Sequence, residues 1–179
     1  MTKNLIFLLF VFFISISCSD EDIFKTTTQE YASKKGKFIA KFPQAPELVV
    51  FENKVGLNEY SIHRYGLAYT PNKNFSIEYL DYQPKEIEPF TDDELYNKAI
   101  ENTLFILKNQ FKIQYQENIV QHGLKGKTYI LEFKDKSKRE IGFIFIKLFR
   151  VKNRIYSVIY QGRDDRNIDP FMKSFRLLK

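Results

Sequence analysis

The stretch from Glu140 to Val151, EIGFIFIKLFRV, restricts the possible folds more than any other part of the chain. In an extended strand successive side chains point to opposite faces. Ile141, Phe143, Phe145 and Phe149 therefore share a face with Lys147, while Ile144, Ile146 and Leu148 fill the other. A strand that is apolar on both faces has to be covered on both, so it belongs in the middle of a sheet with a packed layer on each side. Gly126 to Phe133 and Arg154 to Gln161 read as its hairpin partners, joined to it by Lys134–Lys138 and Lys152-Asn153, and Lys112 to Gln121 precedes them.

The first half of the chain supplies further strands. Lys37 to Phe42 alternates and stops at Pro43, and Pro46 restarts the chain before Glu47 to Val55. Asn58 to Ala68 and Asn74 to Tyr82 follow, separated by a turn rich in Pro and Asn. In the second of these, Phe75, Ile77 and Tyr79 face one way and Ser76 and Glu78 the other, which reads as a half-buried antiparallel strand.

After Pro89 the period changes. Thr91 as N-cap and Glu94 three residues on form a capping box, with Phe90 and Leu95 as a hydrophobic staple. Leu95, Ala99, Thr103 and Ile106, with Tyr96, Ile100 and Leu104 beside them, give the helix one broad apolar face to about Gln110, which must lie across a sheet. The chain ends on a short helix from Asp169-Pro170 and a terminal strand or tail. The expected class is α+β: a single antiparallel sheet of about six to eight strands, with one long helix and a short C-terminal helix packed on it.

The N-terminus has a different character. Lys3 precedes the unbroken apolar run Leu5 to Ile14, which ends at Ser15-Ile16-Ser17-Cys18. A charged n-region, a short apolar h-region and small residues form the pattern of a secretory signal, and the run falls short of the roughly 20 residues that a membrane span requires. Ser15-Ile16-Ser17-Cys18 resembles the lipobox of a bacterial lipoprotein, with Ser15 where leucine is commonest. That resemblance implies cleavage before Cys18 and acylation of its thiol and freed amine. Two or three acyl chains, at about 0.8 kcal/mol per buried methylene, hold a protein on a bilayer. Residues 1–17 are then a signal peptide, residues 18–35 a polar tether and residues 36–179 the folded domain. Ser19-Asp20-Glu21-Asp22 resembles an acidic tag that directs lipoproteins to the cell surface, and it reads equally as a solvated start to the tether. The outer membrane is the expected sheet, with either periplasmic or surface exposure.

Cys18 is the only cysteine, so the mature domain has no internal disulfide and rests on its core. The chain carries a formal charge of +6, which falls to +5 with the loss of Lys3. Acids at Glu132, Asp135 and Glu140 interrupt the basic stretch from Lys125 to Arg154, so no continuous stripe exists to track a phosphate backbone, and nucleic acid is not an expected partner. Two histidines, His63 and His122, are the only imidazole bases. His63 sits mid-strand and His122 before a glycine turn, so neither reads as catalytic. Asp92, Asp93 and Glu94 read as helix-start residues and not as metal ligands, because adjacent helical residues diverge. No metal or cofactor is expected. Tyr60, Tyr65, Tyr79 and Tyr82 are candidates for an exposed aromatic sheet face, set against the ordinary packing role of strand tyrosines.

From Gly36 to Leu177 the order of elements resembles the PsbP-like superfamily, named for an extrinsic subunit of photosystem II. The carriers are Gly36-Lys37-Phe38 leading to Phe42-Pro43-Gln44-Ala45-Pro46, the Gly123–Lys127 turn, Arg154-Ile155-Tyr156 and Phe171–Leu177, in that order and spacing. The resemblance implies an antiparallel sheet of about six strands with helices on both sides. Its bacterial members are often lipoproteins of undefined role, and it brings no catalytic residues. The expected function is a non-catalytic binding or assembly module, held on the membrane by lipid and meeting another envelope protein or a small ligand. The alternative is an envelope hydrolase with an unrecognised active site.

Overall fold

The computed structural model describes residues 22–55, 58–70, 73–106, 111–135, 140–162 and 168–179. The signal segment and Cys18, the helix beyond Ile106 and the turns at 71–72 and 136–139 lie outside these residues. In chain order the elements are β1 (Ile23–Lys25), β2 (Tyr31–Ser33), β3 (Phe38–Ala40), β4 (Glu47–Val55), β5 (Asn58–Thr70), β6 (Lys73–Asp81), α1 (Pro84–Ile87), α2 (Asp92–Ile106), β7 (Phe111–Gln121), β8 (Leu124–Asp135), β9 (Glu140–Val151), β10 (Arg154–Gly162), α3 (Ile168–Ser174) and β11 (Arg176–Leu177).

Seven strands form one antiparallel sheet in the order β4-β5-β6-β10-β9-β8-β7. β9 is internal, as its two apolar faces demand. On one face Ile144, Ile146 and Leu148 pack with Tyr129, Leu131, Ile155 and Ile159 under Leu95, Tyr96, Ala99 and Ile100 of α2. On the other, Phe149 joins Phe75, Ile77, Tyr156 and Tyr160 under α3. Lys147 is on this apolar side too, and its ammonium is satisfied by Gln121 Oε1 (2.6 Å) and the Met172 carbonyl (3.1 Å). β10 is the most enclosed strand, buried without interruption from Ile155 to Tyr160. The α2 start is as the sequence implies: the Thr91 amide donates to Glu94 Oε2 (2.8 Å) and the Glu94 amide to Thr91 Oγ1 (3.3 Å).

The expectation of a single sheet is corrected. A second, four-stranded sheet, β1-β2-β3-β11, lies on the α3 side, and its inner residues Phe38 and Ala40 belong to the same apolar cluster as Phe149 and Phe175. The tether is corrected with it, because β1 and β2 fall within residues 18–35 and pair with one another. Strands of three residues carry too little alternation to stand out from a polar stretch.

β6 is also more enclosed than its alternation implies. Glu78, on the face read as solvated, is 2% exposed and pairs with Arg64 across the β5–β6 ladder (2.5 Å). Burial pushes its carboxyl above the usual range, against the pull of Arg64.

An ion pair spans the small sheet from the β1–β2 connection to β11, in which the Arg176 guanidinium donates to both Glu30 carboxylate oxygens (2.7 and 2.6 Å). Arg176 lowers the Glu30 pKa from 4.5 to about 2. A folded-state pKa below the unfolded one stabilises the fold above pH 4.5, and that contribution disappears as the pH falls toward about 2. Urea titrations over that window should therefore show a loss of stability on acidification, and Arg176→Gln should flatten the dependence.

Candidate binding surface

The residues singled out from sequence do not converge on a reaction centre. His63 stacks on Tyr79 with ring centroids 4.6 Å apart and planes within 6°, and burial lowers its pKa. His122 has φ of 49° and Gly123 φ of 82°, so together they form the two-residue turn between the paired residues Gln121 and Leu124. His122 Nε2 lies 3.0 Å from the Lys173 carbonyl, which only accepts, so this nitrogen is the donor and serves the turn. Asp92 pairs with Arg150 (3.2 Å), Asp93 with Lys127 (3.2 Å) and Glu94 with its own N-cap, so the three acids go separate ways. Among the described residues no group of three or more His, Cys, Asp or Glu is placed to hold a metal ion.

Of the two readings of the strand tyrosines, the packing role is the one the structure shows. Tyr65, Tyr79 and Tyr82 are buried, and the four candidates divide between the two faces of the sheet. Tyr65 and Tyr79 lie in the cluster under the small sheet, whereas Tyr82 and Tyr60 belong to the one under α2. They are core residues, as cross-strand packing requires.

Exposed apolar surface gathers instead on β7, an edge of the main sheet. All but three of its residues are exposed, among them Ile113, Tyr115 and Val120, the last at 72%. A bulge between Ile113 and Tyr115 interrupts pairing with β8, and beyond it Tyr115 to Gln121 pairs regularly. Native edge strands are commonly guarded by lysine, proline or bulges. From Tyr115 to Gln121, YQENIVQ, the only charge is Glu117.

The same strand borders a cleft of about 530 Å³ between the β7–β8 hairpin and the start of α2. Asn118, Ile119 and Val120 form one wall, Lys125 and Gly126 the floor, and Thr91, Asp92, Asp93 and Tyr96 the other wall. Gly126 is required here by close approach: a Cβ would stand 2.3 Å from the Leu148 carbonyl oxygen and 2.5 Å from Phe149. With Asp92 and Asp93 paired to cations, the lining is close to neutral. It presents one lysine and one amide to a ligand; the Tyr96 hydroxyl accepts from the Arg150 amide (2.8 Å) and Thr91 is engaged with Glu94 (2.9 Å).

A buried polar knot holds the entry of the chain into the fold. The hydroxyls of Ser33 and Tyr65 donate to Asp22 Oδ2 (2.7 and 2.5 Å), and the Lys35 amide donates to Oδ1 (2.7 Å). Burial raises the Asp22 pKa, but these donors outweigh it and hold the carboxyl below its ordinary value. Sequence reasoning missed both this knot and the β7 surface. Asp22 reads as one of a run of solvated acids, and the β7 pattern does not say that it is an edge.

No protein family matches the sequence, and no curated protein matches it. Among solved structures the chain is similar to a protein of unknown function, PA94, from Pseudomonas aeruginosa, at 10% identity and a TM-score of 0.36, over 63% of this chain and 82% of that one. A protein from Bacteroides thetaiotaomicron is similar at 10% identity and a TM-score of 0.43, over 82% of this chain and 47% of its own length.

Proposed function

We propose that the protein is an envelope lipoprotein acylated at Cys18, and that its domain is a non-catalytic binding module of PsbP-like type. One observation carries the binding half: the edge of β7, which exposes Ile113, Tyr115 and Val120, is nearly uncharged beyond its bulge and is continuous with the cleft through Asn118, Ile119 and Val120. An extended segment of another envelope protein adds to this edge by main-chain hydrogen bonds, and the cleft receives one of its side chains. A lining of paired acids without a histidine or a free hydroxyl supports recognition over turnover. The PsbP-like reading draws on the order of elements, with α2 on one face of the main sheet and α3 on the other.

The test is affinity capture of the acylated protein from its native membranes, with mass spectrometry of what co-purifies, run in parallel on a Tyr115→Lys, Val120→Lys variant. Both side chains are exposed, so the fold tolerates the change within about 0.5 kcal/mol per site. One stoichiometric partner, present with the parent and depleted at least tenfold with the variant, is expected. Equal recovery with both would remove β7 from the reading, and turnover of an envelope polymer by the purified protein would overturn the non-catalytic assignment.

A further inference from the structure

Resting on the lipid anchor just proposed, we infer that the turn Lys34–Lys37, with Phe24 beside it, is a foot that binds the anionic headgroup layer of the leaflet holding Cys18. Four Cα steps separate Cys18 from Asp22, so the two lie within about 15 Å even at full extension. Asp22 has no freedom to swing away from the fold. Its side chain is held by Ser33, Tyr65 and the Lys35 amide, and its carbonyl accepts from the Lys34 amide (3.4 Å). The body of the domain is therefore brought to the headgroups at this one corner.

The corner has the matching chemistry. Lys34, Lys35 and Lys37 are all exposed, and the Lys37 carbonyl accepts from the amide of Leu178, which brings the exposed Lys179 next to them. Arg154 clamps the turn from below, donating to the carbonyls of Lys35 (3.0 Å) and Gly36 (3.2 Å). Among the described residues the acids at this corner are engaged: Asp22 is buried in the knot, and Asp81 is paired bidentately with Arg154 (2.6 Å for both bonds). Phe24, 38% exposed, lies under the Lys34 ammonium (5.7 Å to the ring centroid), an apolar ring with cations around it, as an interfacial side chain has. Lysines within a Debye length of an anionic leaflet each add about fivefold to partitioning. The grip on Asp22 uses backbone amides and the hydroxyls of Ser33 and Tyr65, so exchanging the lysine side chains leaves it intact.

The chain contains no tryptophan, so Phe24→Trp makes a sole fluorescent reporter at the foot, and Val120→Trp makes one on β7, the far edge of the main sheet from the β5 strand that binds Asp22. Each is placed in the mature chain carrying Cys18→Ser and titrated with phosphatidylglycerol or phosphatidylcholine vesicles. Without acyl chains the readout is independent of the anchor, which palmitate labelling of the parent tests separately. The expected result is a blue shift at position 24, absent at 120, on phosphatidylglycerol alone and suppressed by salt. A Lys34→Gln, Lys35→Gln, Lys37→Asn variant should partition on the order of a hundredfold more weakly. Equal shifts at both reporters, no shift at position 24, or equal partitioning of parent and variant would overturn the foot and leave the lipid anchor standing.

Discussion

Phe175→Ala should be the most damaging single truncation in the molecule, with a loss of about 3–5 kcal/mol. The ring is fully buried and touches three layers at once. It stacks on Phe149 of β9 (5.3 Å, 17°), meets Tyr156 of β10 (5.3 Å) and packs against Phe38 of β3 (6.2 Å). Removing it leaves a hole between the two sheets just where the chain passes from α3 into β11. Rigid strands on both sides cannot close such a hole, so the loss includes a cavity contribution as well as the transfer free energy. Against a total stability of about 5–15 kcal/mol for a domain of this kind, the variant is marginal. Urea denaturation followed by circular dichroism reads the effect. A midpoint shift equivalent to under about 1 kcal/mol, no more than many surface changes produce, would show that the two sheets do not depend on this ring.

Asp22→Ala should cost about 2–3 kcal/mol, because the buried hydroxyls of Ser33 and Tyr65 lose their shared acceptor while remaining out of water, and the partly buried Lys35 amide loses its own. Ser33 Oγ lies 2.9 Å from Tyr65 Oη, so these two can pair with one another and recover part of the loss. The local effect exceeds the global one. β1 is held through its ladder with β2 and through this carboxylate, so hydrogen exchange should accelerate first in residues 22–36. Uniform acceleration across β8–β10 would mean that the knot supports the whole core and not its entry point. For the proposed anchor, the loss of β1 extends the reach from Cys18 from about 14 Å, to Asp22, to about 47 Å, to the next ordered strand at Tyr31. On the proposed lipid anchor, the knot is what keeps the domain near the bilayer.

Periodicity and capping made much of the architecture legible. Glu47–Val55 and Glu140–Val151 begin and end where the alternation begins and ends, and Thr91 and Glu94 mark the start of α2 through local hydrogen bonds that require no distant partner. The binding surface was not legible in this way. An exposed β7 and a buried β10 both read as alternating or apolar strands, and whether a strand is an edge depends on which strand lies beside it, often a hundred residues away. The tyrosines show the same limit: alternation places Tyr65 and Tyr79 on one face of their strands, but only the small sheet lying over that face makes them core.

The sequence by itself determined that β9 is central, that α2 lies across a sheet, and that Cys18 is the one thiol available for a lipid anchor; each depends on residue types and spacings within a single segment. Only the tertiary structure decided that a second sheet exists, that Asp22 and β1 belong to the fold, and that Lys34, Lys35 and Lys37 lie beside them. Those features arise from pairings such as Asp22 with Tyr65 and Glu30 with Arg176, between residues far apart in the chain. No local pattern encodes them, because their stability comes from burial shared between elements that are each too short to order alone.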